Sequence, residues 1–187
     1  MNTATVVERA AQMLDDPGAG ELSLASVAES FGVRPPSLYR HVDGLPALRR
    51  AIMLRAKEEL AQELGRATVG LSRDDAVREL AGAYRQWALA HPGQYPLTVR
   101  APRPGDEDDA AVSSAILEVV FAVLAGYGLR EDDAVDATRF LRSALHGFVA
   151  LETGGAFELP VNVEQSFTRL TDSVAAALTN WSSARGN

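Results

Sequence analysis

The run Ser23-Leu24-Ala25-Ser26-Val27-Ala28-Glu29-Ser30-Phe31-Gly32-Val33 leads directly into Arg34-Pro35-Pro36-Ser37-Leu38-Tyr39-Arg40-His41-Val42, and these two segments decide the fold. Ser23 is a good N-cap, and Leu24, Val27, Ala28 and Phe31 share one face of a helix running from Leu24 to Phe31, which Gly32 ends as a C′ residue. Pro35 and Pro36 fit only the first turn of a following helix, where an N–H would have no partner in any case. That helix is short, roughly Pro35 to Val42, before Asp43-Gly44 closes it. Its Leu38 and Val42, four apart, face inward. Upstream, Thr3 to Asp15 carries Val6, Ala10, Met13 and Leu14 at the spacing of one buried stripe, and Asp16-Pro17-Gly18-Ala19-Gly20 breaks it. Three short helices, with a glycine turn before a proline-led third one, match a helix-turn-helix unit.

Outward from this unit the chain reads as helix after helix. Pro46 opens a long amphipathic segment from Leu45 to about Thr68, and Ser72 caps a helix with Asp74 and Asp75 in its first turn that runs to Ala90. His91-Pro92-Gly93 stops that helix. Tyr95 to Arg100 reads as a short helix, and Ala101 to Asp109, rich in Pro, Gly and acid, as a mobile loop. Apolar helices are expected at Ala110 to Tyr127, Asp132 to Thr153 and Val163 to Trp181. The expected architecture is all-α, about nine helices, with a DNA-binding unit over 1–47 and a larger helical domain over 48–187.

The 187 residues are 47% hydrophobic and 23% charged, the balance of an ordinary globular chain. No cysteine is present, which excludes disulfides, thiolate metal sites and a cysteine nucleophile. Neither a leader-like start nor an apolar stretch of about 18 residues occurs, so a cytoplasmic protein is expected. The formal net charge of −7 argues at first against nucleic acid, but charge is unevenly placed. Between residues 34 and 57, Arg34, Arg40, Arg49, Arg50, Arg55 and Lys57 stand against Asp43 alone. An anion-seeking end on an acidic body suits a DNA reader. The rival readings are an enzyme and a helical interaction module that does not touch DNA. Only His41, His91 and His146 are available to an enzyme, and no phosphate loop, His-x-x-x-His pair or Gly-x-Ser-x-Gly elbow is present. No catalytic residue, metal or cofactor is expected.

The Leu38-Tyr39-Arg40-His41-Val42 string, its setting after Ser23 to Val33, and Asp43-Gly44-Leu45-Pro46-Ala47-Leu48 resemble the TetR family of transcriptional regulators. The resemblance implies a homodimeric repressor on a palindromic operator, released by a small-molecule effector. Ser23, Arg34, Pro35, Pro36, Ser37, Tyr39, Arg40 and His41 form the candidate DNA-contact set. The hydroxyl of Ser37 can meet a base or phosphate, Arg40 can read guanine or anchor a phosphate, and the two prolines can pack on a thymine methyl. Tyr39 and His41 suit phosphates. Tyr39 and His41 as half-buried helix residues, and Arg34 as an ordinary turn residue, are the plainer alternatives. Leu45 stands where the family commonly has a phosphate-binding Lys, leaving backbone N–H groups and Arg49 or Arg50 to supply that contact.

Leu145-His146-Gly147-Phe148-Val149-Ala150-Leu151-Glu152 is similar to a subgroup with a His-Gly motif (the WHG type), though Ser143-Ala144 precedes it where that subgroup's tryptophan is expected. The resemblance implies dimerisation through the last two long helices. Ala137, Phe140, Leu141, Ala144, Leu145, Phe148 and Leu151 cover more than one face, as do Phe167, Leu170, Val174, Ala177, Leu178 and Trp181. Gly147 suits a position that another helix or a ligand approaches closely. Tyr84, Trp87, Tyr95, Phe121, Phe140 and His146 are the candidate effector contacts, each with ordinary core packing as the alternative.

Overall fold

In a computed structural model, which describes residues 2–181, every regular element among the described residues is helical. Eight α-helices and one 3₁₀ helix follow in order: α1 (Thr3–Asp15), α2 (Leu24–Ser30), the 3₁₀ helix Pro35–Arg40, α3 (Gly44–Thr68), α4 (Arg73–Ala90), α5 (Tyr95–Thr98), α6 (Glu107–Ala125), α7 (Glu131–Thr153) and α8 (Val163–Thr179). The Ser23 hydroxyl accepts from the Ser26 N–H at 3.0 Å and Ser26 returns the bond, which completes a capping box at α2. Gly32, at φ +66°, takes the left-handed conformation that lets the chain leave α2.

Two expectations change. The Pro-led helix is 3₁₀ rather than α, because Pro35 and Pro36 bring no N–H and the first donor, Ser37, closes on the Arg34 carbonyl three residues back at 2.9 Å. The loop after α5 is also shorter than the expected Ala101–Asp109. Asp106 accepts from the Asp109 N–H at 3.1 Å, so Glu107, Asp108 and Asp109 become a first helical turn in which acid is favoured.

The chain divides into two compact units, Met1–Glu59 with Ala90–Ser113, and Leu60–Leu89 with Ser114–Asn187. In the first, Val6, Val7, Ala10, Ala11, Leu22, Val27, Ala28, Leu38, Val42, Leu48 and Ile52 form one buried cluster, with Leu45 and Leu97 packed on its side. Burying this set supplies the drive that three short helices lack on their own. The stretch 90–113 is joined to it at the end of α1. There Asp15 accepts from the N–H groups of Gly93 (2.9 Å) and Gln94 (3.0 Å) and pairs with His91 Nδ1 at 2.9 Å. Gly93 lies so close that a Cβ would fall on the Leu14 carbonyl.

In the second unit α7 and α8 pack together, burying Leu141, Leu145 and Val149 with Phe167, Val174 and Leu178. Arg85 of α4 ties their junction, bonding Glu152 through two nitrogens (2.8 and 2.7 Å) and Glu164 at 2.6 Å, its guanidinium 4.7 Å from the Phe167 ring centre. Carboxylates on two sides raise the Arg85 pKa further above its ordinary value. Among the described residues no helix is long and apolar enough to cross a membrane.

Glycine substitutions separate these environments. Gly93→Ala is expected to cost about 1 to 3 kcal/mol through overpacking against Leu14. Gly82→Ala, in α4 with open space around the added methyl, is expected to gain up to about 1 kcal/mol of helix propensity. Urea denaturation of both variants measures the difference.

Candidate nucleic-acid interface

Of the residues in the Pro35–Arg40 helix only Leu38 is buried, at 0% exposure. In 3₁₀ geometry side chains three apart eclipse one another, so Tyr39 lies over Pro36 and Arg40 over Ser37. Leu38 points into the cluster of α1 and α2, and the two eclipsed pairs are turned outward. Tyr39 is 61% exposed, Arg34, Pro35, Pro36 and Arg40 are exposed, and Ser37 and His41 are half-buried. The far end is tied down by Thr3 Oγ1, which donates to the His41 carbonyl at 3.1 Å. Six residues at about 2 Å rise each give a rod of about 12 Å, comparable to the width of a B-DNA major groove. Ser23 behaves differently from the rest of the set: its hydroxyl is engaged in the α2 cap rather than left as a free donor.

The structure sorts the six cations between residues 34 and 57 into two groups. Arg50 bonds Asp106 (3.1 and 2.5 Å) and Asp108 (2.9 Å), Arg55 lies 3.8 Å from Glu59, and Lys57 is buried against Asp109. The Arg50 guanidinium holds the Asp106 carboxyl below its ordinary pKa. Arg34, Arg40 and Arg49 have no carboxylate partner among the described residues. Their charge is therefore open to a polyanion. Of the two arginines expected to compensate for Leu45, only Arg49 is uncommitted. Leu45 itself packs half-buried on the helix-turn-helix core, which is what a leucine does there.

Sequence reading missed Lys57 and Asp109 as a pair, because the partners lie 52 residues apart. Asp106 as a helix cap was the local signal available. A shallow polar cleft of about 500 Å³ lies between Arg50 and the Arg103–Asp108 stretch.

Of the candidate effector contacts, Tyr84, Trp87, Phe121, Phe140 and His146 fall in the second unit and Tyr95 in the first. Trp87 and Tyr95 are buried, Tyr84 and His146 half-buried, and Phe121 and Phe140 each 37% exposed. The Phe140 ring lies 5.6 Å from that of Trp181. A Cβ at Gly147 would meet nothing of this chain within 4 Å, so the close approach expected there is not made within the subunit.

The division of the cations has a measurable consequence. In titrations of DNA from upstream of the protein's own gene over a range of KCl concentrations, Arg49→Ala is expected to flatten the dependence of log K on log salt by about 0.9 per lost phosphate contact. Arg50→Ala is expected to leave that slope unchanged, since its charge already answers to Asp106 and Asp108.

Comparison with known proteins agrees with this geometry. Residues 77–174 match the family described as "Tetracyclin repressor-like, C-terminal domain". An uncharacterised HTH-type transcriptional regulator of Mycobacterium tuberculosis is 38% identical over 95% of this chain and 82% of its own length. Among solved structures, a protein of unknown function from Rhodococcus superposes with a TM-score of 0.80, at 23% identity and 95% coverage of each chain. ActR of Streptomyces coelicolor, in complex with actinorhodin, superposes with a TM-score of 0.69, at 17% identity over 96% of each chain. The match to the C-terminal domain, and a 38% identical relative aligned over nearly the whole chain, place this protein in the tetracycline-repressor-like (TetR) family.

Proposed function

We propose that this DNA-binding transcriptional regulator is a cytoplasmic repressor, which holds a palindromic operator as a homodimer and leaves it when a small molecule binds. The observation that carries the reading is the outward pair Tyr39 and Arg40 on a helix held by Leu38, flanked by uncommitted Arg34 and Arg49. Arg34, Pro35, Pro36, Ser37, Tyr39, Arg40 and His41 make the contacts in this reading, and Ser23 sets the start of α2. Functionally, residues 1–47 read DNA and 48–187 sense and dimerise. Dimerisation through residues 132–153 and 163–181 is supported mainly by α7, whose Val135, Phe140 and Leu151 remain exposed in the single chain. The outward side of α8 is polar, with Gln165, Thr168, Arg169, Asp172 and Ser173 exposed, so α7 supplies most of the apolar surface. The His146-Gly147 step supports a likeness to the WHG-type subgroup.

The effector is proposed to lie in the second unit, among Tyr84, Trp87, Phe121, Phe140 and His146; Tyr95 belongs to the first unit. ActR, which has this fold, binds actinorhodin, and that supports an aromatic-lined site for an organic molecule here. Half-sites of such operators lie about 34 to 36 Å apart, so a ligand that shifts the reading helices off that spacing removes one of two grips. Effective release needs several kcal/mol of ligand preference for the non-binding state.

Tyr39→Ala with Arg40→Ala is expected to abolish specific binding to the upstream DNA, while wild-type binding weakens as salt rises. Binding indifferent to salt would instead favour an interaction module that does not read DNA. Leu151→Glu is expected to shift the protein from dimer to monomer in sedimentation velocity and to weaken operator binding with it.

A further inference from the structure

Lys57 is the most deeply buried charged residue described, 1% exposed, and lysine is almost never fully buried without a partner. Its ammonium donates three bonds: to Asp109 Oδ1 at 2.5 Å, to Ser113 Oγ at 3.0 Å and to the Arg100 carbonyl at 3.0 Å. Asp109 is itself 3% exposed. Seven residues earlier, two turns along the same face of α3, Arg50 holds Asp106 and Asp108. The cations of α3 thus meet the carboxylates at the start of α6 in one alignment. Advancing either helix by a single residue would turn it through about 100° and strand the ammonium in apolar surroundings.

Stability alone does not account for such a pair. Apolar residues of similar volume usually serve as well or better in a buried site, and the best-attested use of a buried ion pair is to fix register. At this position register bears on recognition. The N-terminus of α3 follows the reading helix after only three residues, and both α3 and α6 continue beyond this unit, to Thr68 and Ala125.

We propose that Lys57 and Asp109 are positioning residues for DNA recognition: their buried pair locks α3 to the start of α6 in one register and so fixes where the reading helix is presented. The inference rests on the dimeric DNA-binding reading above. It is tested with K57M/D109L, which replaces the pair by apolar side chains, on a palindromic operator selected from random-sequence DNA and on versions with half-sites one base pair closer or farther. The double variant is expected to melt at or above the wild-type temperature and to remain a dimer. It should nevertheless bind the selected operator at least tenfold more weakly and discriminate less among the three spacings.

Wild-type affinity and spacing preference in a folded K57M/D109L would overturn the proposal, as would a loss of affinity that merely tracks a lower melting temperature. D109E, which keeps the charge but lengthens the link by a methylene, covers the case in which the double variant does not fold. It should retain the fold and alter the spacing preference, and an unaltered preference contradicts the assignment. If the wild type binds none of the three DNAs, the DNA-binding reading itself fails and the proposal with it.

Discussion

A helix of six residues has no stability of its own, and the Pro35–Arg40 helix is anchored to the protein by one fully buried side chain, Leu38. Its burial in the cluster that also holds Val6, Ala10, Val27, Ala28 and Ile52 fixes the rotation of the helix about its own axis. Because side chains three apart eclipse in 3₁₀ geometry, that rotation also determines that Tyr39 and Arg40 face outward. The outward face proposed to read DNA is thus a by-product of core packing. The bond from Thr3 to the His41 carbonyl secures the trailing end, and the Ser23–Ser26 capping box secures the helix before it.

The same unit solves an electrostatic problem. A chain with a formal net charge of −7 must present cations to DNA without letting its own carboxylates neutralise them. Acidic residues at the start of α6 engage Arg50 and Lys57 and leave Arg34, Arg40 and Arg49 uncommitted. The total charge is misleading in one direction, and the cluster of six cations is misleading in the other. What matters is which guanidinium groups still lack a partner once the chain has folded.

Much of the fold was legible because its signals are local. Thr3 to Asp15 was bounded by its stripe and by the breaker at Asp16-Pro17-Gly18, and the structure ends α1 at Asp15. Ser23 and Gly32 marked α2 for the same reason, since caps and left-handed glycines act within a turn or two of where they stand. The paired prolines announced a short third helix, but its 3₁₀ character depended on which N–H first finds a carbonyl, a finer matter than hydrophobic spacing reveals. The joins that matter most were not legible. Asp15 with Gly93, and Lys57 with Asp109, couple positions 78 and 52 residues apart, and nothing in either local stretch names the other. The role of Leu45 was half-visible: leucine removes a phosphate contact, but only the packed core shows what it does instead.

In the proposed reading, two copies of the Pro35–Arg40 helix occupy successive major grooves on one side of the operator. Methylation protection of guanine N7, an atom exposed only in the major groove, tests it most directly. Two protected patches are expected about one helical turn apart, 10 to 10.5 base pairs centre to centre or a whole multiple of that, both lost when Tyr39 and Arg40 are replaced. A single patch, or a footprint confined to the minor groove with N7 fully reactive, would contradict it.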